Sequence, residues 1–158
     1  MSAPTLGSAV RGFFGDYLQC QKGLRISTVR SYRDCLRLFL LFVADDIPRP
    51  LTRLRLADLT AERVRHFLNN LEQERHNHIR SRNQRLSTLR VFFEYLARQC
   101  PELLCEAEYV AAIPTKRVPP PETFYLECEE IQALFACLPR TGRFALRDRC
   151  LLLFLYNT

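Results

Sequence analysis

The sequence predicts an all-α protein: a bundle of four or five helices, then a proline-rich linker, then the first helices of a second, incomplete domain. Apolar residues recur at helical spacing along most of the 158 residues, and no clear alternating strand pattern occurs. They make up 47% of the chain, which is enough to bury a core and excludes wholesale disorder. A cluster of prolines at residues 113–121 separates the two helical regions.

The first two predicted helices cover residues 8–21 and residues 27 or 28 to 44. The first carries one apolar stripe of Val10, Phe13, Phe14, Tyr17 and Leu18. Lys22 and Gly23 then supply the cation and the glycine that are typical of a helix end. For the second helix, the hydroxyl of Ser27 or of Thr28 is the predicted N-cap. Its predicted buried face comprises Val29, Tyr32, Leu36, Phe39, Leu40 and Val43.

Three more helices complete the predicted bundle. Thr60 is the predicted N-cap of the third helix, whose apolar stripe is Val64, Phe67, Leu68 and Leu71. The polar stretch 72–80 is predicted to be a loop. The fourth helix is predicted from Ser81 to Gln99, with an inner face of Leu86, Leu89, Phe93 and Leu96. A short fifth helix is predicted within residues 102–112.

The predicted domains are residues 1–112, a linker at 113–121, and residues 122–158. The linker sequence IPTKRVPPP favours an extended tether over a packed element. Beyond it, Ile131, Leu134, Phe135 and Leu138 predict another helix. The last segment, residues 146–156, is apolar on all sides, which predicts a helix that is buried all round.

The charge of the chain favours a nucleic-acid partner. Lys and Arg number 23 against 17 Asp and Glu, giving a net charge of +6. All but Lys22 and Lys116 of these cations are arginines, whose planar fork suits phosphates and base edges. Residues 25–90 contain 14 arginines against 7 acids, so the excess is concentrated in the predicted bundle. The alternative interpretation is a solvated basic surface without a partner.

Two basic helix faces are the predicted DNA-binding site. On the second helix, Arg30, Arg33 and Arg37 share one outward arc, although Asp34 could pair with them in an ordinary intrahelical ladder. The fourth helix presents side chains that suit base edges and backbone phosphates. The candidates there are Arg80, Arg82, Asn83, Gln84, Arg85, Ser87 and Arg90.

No cofactor, metal or small-molecule substrate is predicted. Seven cysteines include no C-x2-C pair, and Cys100 and Cys105 lack partners for a zinc site. An odd cysteine count without a signal peptide predicts reduced thiols in the cytoplasm. No apolar run is long enough to predict a membrane span. With a nucleic-acid partner, the expected location is cytoplasmic and nucleoid-associated.

Four local patterns, in order along the chain, resemble those of the tyrosine recombinase (phage integrase) family, including its Xer-like members. The segment STVRSY at 27–32, followed by Leu36, Phe39 and Phe42, is similar to the T-x3-Y-x3-L-x2-F signature. RLSTLRVFFEYL at 85–96 is similar to the RLS-x-LR-x-FF-x-YL helix. Residues 126–138 resemble the start of the family's catalytic domain, with Glu127 in place of the usual threonine cap. RDRCLLLFLYNT at 147–158 resembles its RD-x-A-L-L-x-L-L-Y-x-T-G-x-R motif.

The resemblance implies a SAM-like core-binding domain followed by the beginning of the catalytic domain. The family cuts DNA through a phosphotyrosyl intermediate, and by this resemblance its catalytic residues would lie beyond Thr158. The chain is therefore expected to be the DNA-binding portion of a site-specific recombinase acting in DNA integration and recombination, truncated and unable to catalyse alone. Its expected partner is double-stranded DNA, with further recombinase protomers left open. Two alternatives are a non-catalytic DNA-binding regulator that competes with a recombinase, and a helical protein-interaction scaffold.

Overall fold

The computed structural model describes residues 4–120 and 125–157. Within these ranges the chain forms helices and no strand, which confirms the all-α prediction. The chain divides into two compact units, Met1–Val118 and Pro119–Thr158. The predicted junction of linker and second domain, at residues 121 and 122, lies outside the described residues.

Five helices form the first unit, and the fourth is at its centre. They are α1 (Leu6–Gly12), α2 (Ile26–Asp46), α3 (Ala61–Gln73), α4 (Ile79–Gln99) and α5 (Leu104–Ala112). The chain continues from α1 into a π-helical segment, Phe13–Gln21. Short 3-10 turns precede α3 and α5. Helix α4 packs against α2, α3, α5 and the π-helical segment, so most of the core lies along its sides.

Phenylalanine rings fill that core. Phe13, Phe39, Phe92 and Phe93 are each fully buried. Phe13 meets Phe92 edge-on with ring centroids 5.0 Å apart, and Phe39 lies 6.3 Å from Phe93. Edge-on pairs of this kind stabilise a core by about 1 kcal/mol beyond the area that they bury. The predicted inner face of α4 is confirmed, because Leu86, Leu89, Phe93 and Leu96 are all buried.

Of the two predicted N-caps, the one of α3 is confirmed and the one of α2 is not. Thr60 caps α3 as predicted, its hydroxyl accepting from the Arg63 N–H at 3.3 Å. The first helix begins at Leu6 rather than residue 8, because Thr5 provides its N-cap. The predicted hydroxyl cap of α2 is wrong: the helix begins at Ile26 after Arg25, with no side-chain cap. Ser27 and Thr28 lie inside its first turn and are free to line its surface.

The connection between α3 and α4 is shorter than predicted. Residues 72–80 were expected to form a loop, but α3 continues to Gln73 and α4 begins at Ile79. Hydrogen bonding explains the early start of α4, since His78 Nδ1 accepts from the Arg80 N–H at 3.1 Å. At the other end of α3, the Glu106 carboxylate of α5 accepts from the Ala61 N–H at 2.6 Å. This carboxylate binds the positive end of α3 and fixes α5 against it.

The predicted tether is partly a packed element. Residues 113–120 have no regular secondary structure, as expected. Ile113, however, is only 4% exposed and belongs to the core of the first unit. Backbone groups of residues 113, 114 and 116 are bonded to side chains of α4. The prediction of a free linker is therefore wrong for residues 113–116, because α4 carries polar side chains that satisfy their backbone.

The second unit contains α6 (Cys128–Cys137) and α7 (Ala145–Tyr156). Phe135 of α6 meets Tyr156 of α7 with ring centroids 6.2 Å apart. Most apolar side chains of α7 are nevertheless uncovered, and Leu146 and Phe154 are 78% and 65% exposed. The predicted all-round burial of this helix is not found among the described residues, because α6 covers only one side of it.

Candidate functional site

The arginines of α2 lie on its solvent side. Arg30, Arg33 and Arg37 are all exposed. Asp34 contacts its neighbour Arg33, with Oδ1 3.4 Å from Nη2, instead of bridging Arg30 and Arg37. Among residues 4–120 and 125–157, no acid forms an ion pair with Arg30 or Arg37. Two of the three guanidinium groups therefore keep all their donors for an external anion.

A groove lined with hydroxyl groups separates α2 from α4. The two helices are joined there by a hydrogen bond of 3.2 Å, which Gln84 Nε2 donates to Ser31 Oγ. The groove has a volume of about 310 Å³. Its lining consists of Ser27, Thr28, Ser31, Tyr32, Gln84, Ser87 and Thr88. Polar groups of this kind can form hydrogen bonds with phosphate oxygens and with base edges.

Arg85 and Cys35 hold the inner side of the α2–α4 contact. Arg85 is half-buried, and its Nη1 has no hydrogen-bond partner among the described residues. Cys35 donates its thiol to the Arg85 carbonyl at 3.6 Å. Burial raises the pKa of the Cys35 thiol to about 12, although the Arg85 charge and the Thr88 hydroxyl both act to lower it. The thiol thus stays protonated and serves packing, whereas Arg85 lines a second polar groove beside Ser31 and Ser81.

Arg82 is not on the predicted surface. Its side chain is 6% exposed, and Nε forms an ion pair of 3.2 Å with Glu72 Oε1 of α3. Nη1 donates to the Pro114 carbonyl at 3.0 Å. An arginine on this side of α4 faces α3 and the chain after α5. Its predicted role as a DNA ligand is therefore replaced by an internal contact.

Asn83 and Arg90 contact the same segment of chain. Asn83 Nδ2 donates to the Lys116 carbonyl at 2.7 Å, and Asn83 Oδ1 accepts from the Lys116 N–H at 3.1 Å. Arg90 donates to the Ile113 carbonyl and, at 3.4 Å, to the Thr115 hydroxyl. Lys116 Nζ in turn lies 2.6 Å from Glu72 Oε2. Sequence reasoning missed Glu72 and Lys116, since no local pattern joins residues 44 positions apart.

The open part of the site is therefore the outer strip of α4 together with α2. Arg80 and Ser87 are exposed on α4, between the bond from Gln84 to α2 and the bonds from Asn83 to Lys116. We call this surface the α2–α4 face; it comprises Arg30, Arg33, Arg37, Arg80, Gln84, Arg85 and Ser87. The charged members of this face are all arginines, and Asp34 of α2 lies beside Arg33.

The described part of the chain contains no group of three or more His, Cys, Asp or Glu side chains that could hold a metal ion. All seven cysteines are free thiols. No described helix is both long enough and apolar enough to cross a membrane.

Comparison with known proteins identifies relatives along the whole chain. The phage integrase N-terminal SAM-like domain family matches residues 12–100. Two Sinorhizobium fredii proteins named as integrases/recombinases are 37% and 32% identical to this chain, over 97% and 98% of its length. The tyrosine recombinase XerC of Oceanobacillus iheyensis is 30% identical over 92% of the chain. These matches cover 54%, 46% and 45% of the relatives, so the chain spans about half their length. No solved structure matches it significantly.

Proposed function

Because the chain belongs to the phage integrase family of tyrosine recombinases, we propose that its first unit binds double-stranded DNA through the α2–α4 face. The family match covers α2, α3 and α4. The observation that carries the proposal is the pair of exposed guanidinium groups on α2, Arg30 and Arg37, which form no ion pair within the described residues. The hydroxyl-lined groove against α4 is a separate polar surface of the same helix. A polyanion would neutralise these exposed cations, which no acid in the described part of the chain neutralises.

Within this face we assign two kinds of contact. Arg30, Arg33, Arg37 and Arg80 are exposed and suit backbone phosphates, which fix position without reading sequence. Gln84 and Ser87 of α4, with the half-buried Arg85, are the groups suited to base edges in a major groove. We keep Asn83 and Arg90 as candidates through the N–H donors that their bonds to residues 113–116 leave unused. We leave Arg82 out of the proposed contacts, because its burial and its ion pair with Glu72 argue against a contact with DNA.

The wider role follows from the family. We propose that the chain supplies DNA binding to a site-specific recombinase acting in DNA integration and recombination, together with further recombinase protomers at the nucleoid. The names of the Sinorhizobium fredii relatives and of XerC support this role. We assign no catalytic role to any residue of the chain.

The test is a binding titration with the full 158-residue chain and a labelled duplex at several salt concentrations. With about four phosphate contacts, the slope of log K against log salt should be about −3 to −4. Arg37→Ala and Arg80→Ala should each weaken binding and reduce the slope by about 1. Arg98→Ala is the matched control, because Arg98 is ion-paired to Glu94 and lies about 20 Å along α4 from Gln84. Equal effects of all three substitutions would overturn the assignment of the face, and no binding at low salt would overturn the function.

A further inference from the structure

We propose that Glu72 is a positioning residue for DNA binding, because it holds the segment 113–117 beside α4 as the second border of the α2–α4 face. This inference rests on the proposed DNA-binding function. The contacts of Glu72, Arg82, Asn83 and Arg90 with residues 113–116 are called the linker clamp. None of the four side chains is fully exposed.

The linker clamp fixes the backbone of the segment at several points. Asn83 bonds both the N–H and the carbonyl of Lys116, as a neighbouring strand would do. The carbonyl groups of Ile113 and Pro114 are bound by Arg90 and Arg82. A segment whose backbone groups are paired in this way has few conformations left, so the position of Lys116 is set by α3 and α4.

Glu72 is the central acid of the clamp. One of its carboxylate oxygens lies 3.2 Å from Arg82 Nε, and the other lies 2.6 Å from Lys116 Nζ. The Glu72 side chain is 15% exposed, so solvent screens these ion pairs less than it screens pairs at the surface. Without this carboxylate, Arg82 would be a buried cation with no counter-charge, and Lys116 would lose its anchor.

The position of the linker clamp places the segment 113–117 next to the α2–α4 face. Asn83 and Gln84 are consecutive, so their side chains point about 100° apart around α4. Gln84 is bonded to α2, and Asn83 is bonded to Lys116, so the outer strip of α4 runs between α2 and the segment 113–117. The exposed Arg117, which follows the clamped Lys116, thereby extends the basic face on its second side.

A pure charge effect and a positioning role of Glu72 predict opposite changes in DNA affinity when the Glu72 charge is removed. Removing a negative charge beside a DNA-binding surface strengthens binding if only net charge matters. If Glu72 positions Arg117 through Lys116, its removal loosens this end of the segment and weakens binding. Glu74 provides the matched control, since it is an exposed acid two residues further on and forms no ion pair within the described ranges.

The experiment compares Glu72→Gln with Glu74→Gln in the same duplex titration. We expect Glu72→Gln to raise Kd about threefold or more and to reduce the salt slope by about 1, whereas Glu74→Gln leaves Kd unchanged or lowers it. In a Lys116→Gln background, Glu72→Gln should weaken binding less than it does in the wild-type background, because the contact between Glu72 and Lys116 is already absent there. Equal or tighter binding by Glu72→Gln than by wild type would overturn the inference. Failure of wild type to bind would instead overturn the proposed function.

A second variant tests the clamp if Glu72→Gln does not fold. Asn83→Ala removes the acceptor of the Lys116 N–H from a partly exposed position. Amide exchange at Lys116 should speed up at least about tenfold, while the amides of Phe93 and Leu96 in the core stay protected. Unchanged exchange at Lys116 would show that the clamp does not hold the segment.

Discussion

Gly12 occupies a position in the first unit where a single methyl group should be costly. Its backbone is helical, with φ −62° and ψ −38°, so alanine is conformationally acceptable there. A Cβ atom at Gly12 would lie 2.6 Å from Tyr95 Oη and 3.8 Å from Tyr95 Cζ. The Tyr95 ring is only 8% exposed and is held between Phe13 and Tyr17, with centroid distances of 5.3 Å and 5.1 Å. The ring therefore cannot move aside freely.

The gain in helix propensity and the cost of the added volume act in opposite directions and can be compared directly. Replacing glycine by alanine inside a helix stabilises it by about 1 kcal/mol. Forcing extra volume into a packed site costs about 1–3 kcal/mol. We expect Gly12→Ala to lower the free energy of unfolding by up to about 2 kcal/mol. In a Tyr95→Phe background the clashing oxygen is absent, and the same substitution should raise stability by about 0.5–1 kcal/mol.

Urea unfolding followed by circular dichroism measures all four proteins of this cycle. The coupling energy between positions 12 and 95 should be about 1–3 kcal/mol. A stabilising Gly12→Ala in the wild-type background, with no coupling to Tyr95→Phe, would refute the packing that the structure gives to the π-helical segment and α4.

Three further predictions concern the Cys35 thiol of α2, the Glu106 carboxylate at the N-terminus of α3, and the second unit. The pKa of Cys35 is raised from 9.0 to about 12, so the folded state keeps a proton that the unfolded chain releases. The protonated thiol contributes fully to the free energy of unfolding below pH 9, and this contribution is lost as the pH rises. At pH 10 the loss should be about 1.4 kcal/mol, measured relative to Cys35→Ala. Glu106→Ala should cost about 1 kcal/mol of stability in thermal unfolding, because the N–H of Ala61 loses its acceptor. Amides of α6 and α7 should exchange much faster than those of residues 28–98, because α7 is largely uncovered.

Each of these predictions has a control and a contradicting result. If the free energies of unfolding of wild type and Cys35→Ala change equally from pH 8 to pH 10, the raised pKa of the buried thiol is contradicted. Glu108→Ala removes an exposed acid of α5 and should leave the stability unchanged. An equal loss of stability from Glu106→Ala and Glu108→Ala would contradict the contact of Glu106 with α3. Protection of α7 equal to that of α4 would contradict the exposure of its apolar side chains.

Helical spacing in the sequence was sufficient to predict the bundle. The stripes of α3 and α4 are buried as predicted, since one long amphipathic helix leaves little choice about which side faces the core. Family patterns in the sequence also led to the SAM-like domain that matches residues 12–100. Thr60 was recognisable as a cap because its partner, the Arg63 N–H, is only three residues away.

Contacts between distant segments were not predictable in this way. Arg82 and Arg85 look alike in the sequence, yet Arg82 is buried against Glu72 whereas Arg85 is half-buried beside the α2–α4 groove. The difference depends on the course of residues 113–116, which belong to a proline-rich stretch that resembles a free tether in the sequence. The Glu106 cap on α3 was missed for the same reason, as 45 residues separate donor and acceptor.

Mapping DNA contacts residue by residue shows whether the α2–α4 face binds the duplex. Backbone amide shifts of the full chain, recorded during titration with a short duplex at low salt, would locate the contacts. We expect the perturbed amides to concentrate in residues 27–37 and 80–87 and to extend to 115–117, while those of α7 stay unchanged. Perturbations centred on α7 or on the C-terminal half of α2, or none at all, would contradict it.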